Sequence, residues 1–393
     1  MADHQGKSNG RGSNGRNGRA RYAHIIGWGM ALPTRVMTND EIAQMVDTSD
    51  AWIRERTGIR ERRIAGAKDS TATLALRAAK RALEVANVSP ADLNLIIVAT
   101  ATPEHLFPAT ACLVQDWLGA ENAGAFDLSA GCTGFVYALS LAAQTIISGA
   151  ADTVLVIGSE TLSRIVDWQD RGTCILFGDG AGAVVLRASN MPGGVLTTLL
   201  RSDGSGGELL ALPGGGSRYP PSPTTVLNGM HKIHMNGREV FRFATRVMAQ
   251  ATRSVVEDAG LTLEDIALVI PHQANIRIIE AAARSLGMPM EKMYVNIERY
   301  GNTSSASIPI ALCEAIESGR IKADDYIVLV AFGAGLTWGA ATIKWVPTPP
   351  PASPLEQRAH AVRYWWAALR SAWRRFWRRL ESWLKDPATA SEK

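Results

Sequence analysis

DLNLIIVATAT (residues 92–102) contains a short, continuous apolar run, and the alanine-rich helical pattern TATLALRAAKRALEVAN (71–87) precedes it. Further runs of the same kind are DTVLVIGSE (152–160), DIALVIPHQ (265–273) and DYIVLVAFG (325–333). Continuous apolar strands between helical patterns are typical of sheets that are covered on both faces. We therefore predict an α/β protein of layered architecture.

An internal repeat relates these runs. The apolar cores of the first two begin at Leu95 and Val154, and those of the last two begin at Leu268 and Ile327, so the spacing within the two pairs is identical. Matched spacings of this kind indicate two similar α/β halves.

The pattern predicts five segments. They are a disordered basic tail (1–20), an N-terminal half (21–195), a C-terminal half (196–346), a proline-rich linker (347–354) and an amphipathic extension rich in Trp and Arg (355–393).

Charge and cysteine content exclude several protein classes. Residues 21–346 contain 28 basic and 32 acidic residues, so no positive field covers the body and nucleic-acid binding is not expected. The four cysteines lack CxxC spacing, which predicts neither a disulfide framework nor a metal site. With no signal peptide or apolar run long enough for a membrane span, the expected location is the cytoplasm.

Three residues are candidates for chemistry. Cys132 lies where a strand-like run ends and an apolar helix begins, a place where the helix dipole favours a thiolate. His272 follows a strand that ends at Pro271, and Asn302 follows Gly301. Alone, each also fits a structural role, as a buried cysteine, a structural histidine or a capping asparagine. Together, a thiol and two neutral hydrogen-bond donors suit thioester chemistry.

The spacing leaves a second enzyme class open. His272 and Asn302 both follow Cys132 at a separation close to the range for papain-like proteases, although the signature around the cysteine of that family is absent. A cysteine hydrolase of thioesters or peptides therefore remains an alternative.

Two glycine-rich segments need a structural interpretation. FGDGAGA (177–183) is followed by a strand pattern and not by a helix, so we predict a hairpin turn and not a phosphate loop. GAGLTWG (333–339) is its equivalent in the second half, where backbone N–H groups could approach a substrate oxygen.

Six motifs resemble β-ketoacyl-acyl carrier protein synthase III, the initiating condensing enzyme of type II fatty acid synthesis, in the thiolase superfamily. They are TSDAWIRERTGIRERR (48–63), DLSAGCTGFVYALS (127–140), DWQDRGTCILFGDGAGAV (167–184), PHQANIRI (271–278), YGNTSSAS (300–307) and AFGAGLTWG (331–339). The resemblance covers about residues 23–346. It implies a thiolase-like fold whose two halves form an α-β-α-β-α core, and a homodimer.

The resemblance also implies the reaction. An acyl-CoA, with acetyl-CoA as the expected starter, condenses with malonyl-acyl carrier protein, releasing CO2 and CoA, with no metal or other cofactor. A specialised ketosynthase of secondary metabolism, with another starter or acceptor, is the alternative within the family.

Site residues carry over from the resemblance by position. The catalytic residues are Cys132, His272 and Asn302, and the oxyanion hole uses the backbone N–H groups of Cys132 and Ala334. Coenzyme A is expected to contact Trp52, Arg56, Arg171, Asn275 and Arg277, and Phe107 is expected to limit the acyl pocket of the partner subunit. The carrier protein is expected to contact Gln273, Ala274, Asn275, Ile276 and Arg277. To these we add Arg238, Arg242 and Arg246, whose spacing places them on one helical face.

The C-terminal extension does not belong to the family pattern. Residues 362–385 combine a Trp/Phe/Leu stripe at helical spacing with six arginines. We predict an amphipathic helix in peripheral contact with an anionic membrane surface. The alternative is a helix that packs its stripe against its own dimer or another protein.

Overall fold

The computed structural model describes residues 20–346 and, in the C-terminal extension, residues 362, 366–367, 369–378 and 380–381. The predicted disordered tail, apart from its last residue, and the predicted proline-rich linker lie outside the described residues.

Strands and helices alternate through the described body. The strands are β1 Tyr22–Ala31, β2 Arg35–Thr38, β3 Glu61–Ile64, β4 Leu95–Ala99, β5 Gly124–Leu128, β6 Thr153–Thr161, β7 Asp179–Ser189, β8 Gly194–Ser202, β9 Leu210–Ala211, β10 His234–Met235, β11 Ile266–Pro271, β12 Tyr326–Gly333 and β13 Thr337–Lys344. The helices are α1 Asn39–Ala43, α2 Asp50–Thr57, α3 Thr71–Ala86, α4 Thr110–Leu118, α5 Gly134–Ile147, α6 Arg171–Cys174, α7 Pro223–Leu227, α8 Gly237–Asp258, α9 Ile276–Leu286, α10 Ile297–Tyr300 and α11 Ser307–Glu317.

Two larger sheets organise these elements. The first has the order β1-β7-β6-β4-β5 and the second the order β11-β12-β13-β8. In the first sheet β4 pairs in parallel with β6, with Leu95 opposite Val154, and in the second β11 pairs in parallel with β12, with Leu268 opposite Ile327. The spacing that recurs in the sequence therefore separates two residues that lie opposite each other in a parallel strand pair, once in each sheet.

The sheets and helices form five layers. Helices α3 and α4 pack on the outer face of the first sheet, and α8 and α9 pack on the outer face of the second. Between the sheets, α5 and α11 share one hydrophobic cluster with strands of both. The predicted layered α/β architecture is confirmed, and the start of α5 lies in the middle of the molecule.

The prediction of a hairpin turn at FGDGAGA is wrong. Gly180 and Gly182 lie inside strand β7, which pairs with β1 and β6. A Cβ atom at Gly182 would lie 2.7 Å from the backbone N of Ile310, and one at Gly180 would lie 3.0 Å from the Ile310 side chain. The glycines are therefore needed because α11 packs directly on this strand, and not because the chain turns.

Candidate active site

Cys132 lies in a short 3₁₀ turn, Gly131–Thr133, which leads directly into α5. The preceding Gly131 has φ +53°, a left-handed conformation that favours glycine. This turn places the Cys132 side chain, which is almost fully buried, at the inner end of a cavity.

The loop between β12 and β13 touches this turn. A Cβ atom at Gly333 would lie 2.6 Å from the backbone N of Cys132, and one at Gly131 would lie 2.9 Å from the backbone N of Ala334. Only glycines at these two positions allow the backbones to approach so closely. The backbone N–H groups that were predicted to form an oxyanion hole thus belong to neighbouring segments.

The burial of Cys132 favours the neutral form of its thiol. Burial raises the pKa of the Cys132 thiol to about 12, a hydrogen bond with Ser304 acts in the opposite direction, and the nearby carboxyl of Glu160 raises it further. Desolvation therefore opposes the thiolate that the helix start favours, and the two effects act on this thiol in opposite directions.

His272 follows β11, and its backbone N–H donates to the Val330 carbonyl at 2.8 Å. Its Nδ1 atom lies 2.6 Å from Ser307 Oγ, and its ring packs edge-on against Phe332. The buried Nε2 atom has no hydrogen-bond partner among the described residues. Burial lowers the pKa of His272 to about 3, so the imidazole is neutral at physiological pH.

Asn302 is held on both sides by backbone hydrogen bonds. Its N–H donates to Leu176 O at 2.8 Å, and its carbonyl accepts from the Gly178 N–H at 3.0 Å. The side-chain Oδ1 accepts from the Ser304 N–H at 2.8 Å. That bond orients the amide so that its NH2 group is the donor left for a ligand.

One cavity of about 320 Å3 contains all three predicted catalytic residues. Its wall also includes Trp52, Arg56, Ala274, Asn275, Ile278, Phe177, Phe241, Phe332 and Gly333. Residues from both halves thus meet in one space that has neutral hydrogen-bond donors at its inner end and aromatic and basic groups elsewhere on its wall.

The residues predicted for coenzyme A lie together. The guanidinium groups of Arg171 and Arg56 lie 5.1 Å and 5.5 Å from the centre of the Trp52 ring. Asn275 caps α9 by accepting from the Arg277 N–H at 2.9 Å, and its Nδ2 donates to the Arg56 carbonyl at 3.0 Å. A partly exposed ring flanked by two cations suits a flat base and anionic phosphates.

Of the residues predicted to contact a carrier protein, the four arginines are exposed and Gln273 is buried. The three arginines of α8 are exposed, and Val240 and Phe241 of the same helix line the cavity. Arg277 is also exposed, over the Phe241 ring at 5.9 Å. Gln273 is buried, and its amide donates to the Pro271 and Tyr294 carbonyls and accepts from the backbone N–H of Asn296. The prediction that Gln273 contacts a carrier protein is therefore wrong.

Phe107 does not line the cavity of its own chain. Its side chain is 86% exposed on the loop between β4 and α4. Whether it limits an acyl pocket in a partner subunit stays a prediction.

Two residues that were not among the predicted site residues hold the site together. Ser307 contacts His272, as described above, and its hydroxyl also accepts from the Gln273 N–H at 3.4 Å. Glu160 of β6 is buried and accepts from Ser305 Oγ at 2.7 Å and Thr102 Oγ1 at 2.8 Å. Ser307 is the last residue of the motif YGNTSSAS, and a run of polar residues at the start of a helix could have indicated its role. No sequence pattern indicated a role for Glu160.

No group of three or more His, Cys, Asp or Glu side chains suited to a metal ion occurs within residues 20–346 or the described part of the extension.

Comparisons with known proteins identify the family. Residues 126–204 match the family model described as 3-oxoacyl-[acyl-carrier-protein] synthase III, and residues 256–345 match the model of its C-terminal part. These segments include Cys132 in the first case, and His272 and Asn302 in the second.

Relatives match over almost their entire length. The Symbiobacterium thermophilum protein named beta-ketoacyl-[acyl-carrier-protein] synthase III is 55% identical over 327 residues, which are 83% of this chain and 99% of the relative. The Caldanaerobacter subterraneus protein of the same name is 55% identical over 82% of this chain and 98% of its own length.

Solved structures show the same fold. The 3-oxoacyl-[acyl-carrier-protein] synthase III of Aquifex aeolicus is 51% identical, with a TM-score of 0.77 over 82% of this chain and all of that chain. A priming β-ketosynthase of a polyketide biosynthetic pathway is 37% identical, with a TM-score of 0.80 over 85% of this chain and 99% of its own. The expected thiolase-like fold is confirmed.

Proposed function

This chain belongs to the 3-oxoacyl-[acyl-carrier-protein] synthase III family, carbon–carbon bond-forming acyltransferases that initiate fatty acid synthesis, and we propose that Cys132, His272 and Asn302 carry out its condensation. The observation behind the proposal is that one cavity joins these side chains, which come from both halves of the chain. The cysteine hydrolase is not favoured, because the matched families are condensing enzymes.

The first step is acyl transfer. The sulfur of Cys132 attacks the thioester carbon of an acyl-CoA, its S–H proton leaves with coenzyme A as a thiol, and an acyl-cysteine remains. Before substrate binds, the neutral thiol is favoured, because burying the negative charge of a thiolate would cost free energy. The N–H groups of Cys132 and Ala334 are suited to hold the oxygen that becomes negative in the tetrahedral intermediate.

The second step is decarboxylation. Malonyl-carrier protein loses CO2 and leaves an enolate at its thioester oxygen, which the His272 Nε2–H and the Asn302 NH2 group stabilise as donors. Nε2 is suited to this role because it is buried, uncharged and unpaired among the described residues. The enolate carbon then attacks the acyl-cysteine, its C–S bond breaks, and the Cys132 sulfur takes up a proton.

Substrate and partner contacts are part of the proposal. Trp52, Arg56 and Arg171 would bind the base and phosphates of coenzyme A, supported by the two guanidinium groups beside one indole ring. The exposed arginine face of α8 beside the cavity would attract an acidic carrier protein. Acetyl-CoA is the proposed starter. A specialised ketosynthase of secondary metabolism is not favoured, because relatives named beta-ketoacyl-[acyl-carrier-protein] synthase III are more similar to this chain than the priming β-ketosynthase is.

Assembly and location are proposals as well. Strand β5 is the edge of the first sheet, and its Phe126 is 39% exposed, so pairing of β5 with a second copy would cover an open edge. For location we propose the cytoplasm, with a membrane surface within reach of the C-terminal extension. Among the described residues no helix is both long and apolar enough to cross a bilayer.

The proposal is tested by separating the two steps. Cys132→Ser should incorporate no labelled acetyl group from acetyl-CoA, whereas His272→Ala and Asn302→Ala should still be acylated but should not release CO2 from malonyl-carrier protein. Cys112→Ser, at an exposed cysteine outside the cavity, is the matched control and should keep both activities. Condensation by Cys132→Ser at the parent rate would disprove the mechanism.

A further inference from the structure

The C-terminal helix, which we define as the described residues between 362 and 381, packs on the catalytic body through its small side chains. All of its described residues are helical. Ala367 and Ser371 are buried, and a Cβ atom added to Gly119 would lie 2.7 Å from the Ala367 Cβ. Gly119 terminates α4 in a left-handed conformation, so a helix and a helix end are in close contact here.

Polar contacts fix the rotation of the C-terminal helix on the body. Ser371 Oγ donates to the Asp116 carboxylate at 2.6 Å, and Arg375 forms an ion pair with the same carboxylate. The neighbouring Arg374 lies 3.3 Å from Glu121. Successive helical residues are rotated by about 100°, so these contacts define one face, and residues 369, 373, 376, 377 and 380 lie away from it.

That outward face is aromatic and exposed. Trp373, Phe376 and Trp377 are 60%, 53% and 49% exposed, and Leu369 beside them is 44% exposed. The three rings contact one another, with centroids 5.7–6.1 Å apart. The body of the same chain therefore does not cover these four side chains. A soluble protein rarely leaves an apolar surface of this size without an occupant.

The charges beside the aromatic face are positive. Residues 362–381 contain six arginines and one acidic residue, Glu381. Two of the arginines are neutralised by the body, as described above. Arg370 and Arg378 are exposed and have no carboxylate partner among the described residues. Arg370 lies beside the aromatic face, whereas Arg378, seven residues after Ser371, lies on the side of the helix that faces the body.

We propose that the outward aromatic face of the C-terminal helix binds an anionic lipid surface, while Asp116 and Glu121 hold the opposite face on the catalytic body. Tryptophan rings suit the boundary between headgroups and acyl chains, and exposed arginines attract anionic headgroups. A second copy is a poorer occupant, because facing helices would bring the arginines of both copies together against one acidic residue, Glu381, among the described residues of each helix. The proposal builds on the proposed location and does not depend on the condensation reaction.

The test is co-sedimentation of the full chain with vesicles of phosphatidylglycerol and phosphatidylcholine in equal parts. The wild-type chain should pellet with these vesicles, and less with phosphatidylcholine alone. The triple variant Trp373→Ser, Phe376→Ser, Trp377→Ser should bind about a hundredfold more weakly, since each large ring contributes apolar area. Leu227→Ser, which changes an exposed apolar residue of α7, is the matched control and should bind as wild type.

A charge variant and an activity measurement complete the test. Arg370→Gln should weaken partitioning about fivefold, because the exposed cation beside the aromatic face loses its attraction to the anionic headgroups. All variants should keep wild-type acetyl transfer in solution, which shows that they fold and separates this test from that of the catalytic mechanism. The proposal is overturned if the wild-type chain stays in the supernatant, if the triple variant pellets equally, or if the triple substitution lowers only the oligomeric mass.

Discussion

Replacing Ser307 by alanine is expected to slow decarboxylation while sparing acyl transfer. Ser307 Oγ accepts from the Gln273 N–H, so its own proton is available to His272 Nδ1, which lies 2.6 Å away. When Nδ1 accepts this hydrogen bond, the N–H proton of the neutral ring is on Nε2. We therefore expect Ser307 to act as a positioning residue that favours the tautomer able to donate to the malonyl thioester oxygen.

The magnitude follows from the lost hydrogen bond. Ser307→Ala leaves a buried ring nitrogen without its partner, which costs about 1–3 kcal/mol of folding free energy. It also removes the preference for the Nε2–H form, which is worth about 1 kcal/mol if it equals one ordinary hydrogen bond. We expect CO2 release from malonyl-carrier protein to fall about five- to tenfold, with acylation of Cys132 unchanged.

The assay follows both steps in one preparation, with labelled malonyl-carrier protein for CO2 and labelled acetyl-CoA for the acyl-enzyme. Ser307→Thr keeps a hydroxyl and should restore most of the decarboxylation. Ser140→Ala is the matched control, because it removes a buried hydroxyl that bonds Thr198 at 2.8 Å, away from the histidine. A Ser307→Ala enzyme that releases CO2 at the wild-type rate, or one that loses both steps equally, would refute the tautomer argument.

Three further predictions concern other parts of the site. Gly333→Ala places a Cβ atom 2.6 Å from the backbone N of Cys132, so we expect a loss of about 1–3 kcal/mol in unfolding free energy and slower acyl transfer, measured by urea unfolding and acetyl labelling; unchanged transfer would show that this contact is unimportant. The pKa of His272 is about 3 in the folded protein against an ordinary 6.5, so the unfolded chain binds more protons between these values. Stability from this group is present above pH 6.5 and declines toward pH 3, by about 2 kcal/mol between pH 7 and pH 5, and comparison with His272→Gln isolates the effect. Arg242→Glu should raise the KM for malonyl-carrier protein about three- to tenfold and leave that for acetyl-CoA unchanged, whereas equal changes in both would argue against carrier docking.

The amino-acid sequence alone predicted the main strands and the three side chains that meet in the cavity. Strands β4, β6, β11 and β12 are continuous runs rich in β-branched residues. The sequence spacing common to the two pairs separates residues that lie opposite each other in a parallel strand pair. Cys132, His272 and Asn302 each sit beside a recognisable strand or helix boundary. These features depend on residues that are close in the chain, so pattern and resemblance were enough to find them.

How the surfaces of the elements are used depends on contacts between residues that are far apart in the chain. In the sequence the glycines of β7 resemble a turn, whereas in the structure they allow α11 to pack on the strand. The contact between Ser307 and His272 joins residues that are 35 positions apart. Helical periodicity collects the tryptophans of the C-terminal helix on one face, but it cannot say which face is buried. That choice is made by Asp116, which lies 255 residues before Ser371, because a carboxylate on the body favours the serine and arginine side over the aromatic one.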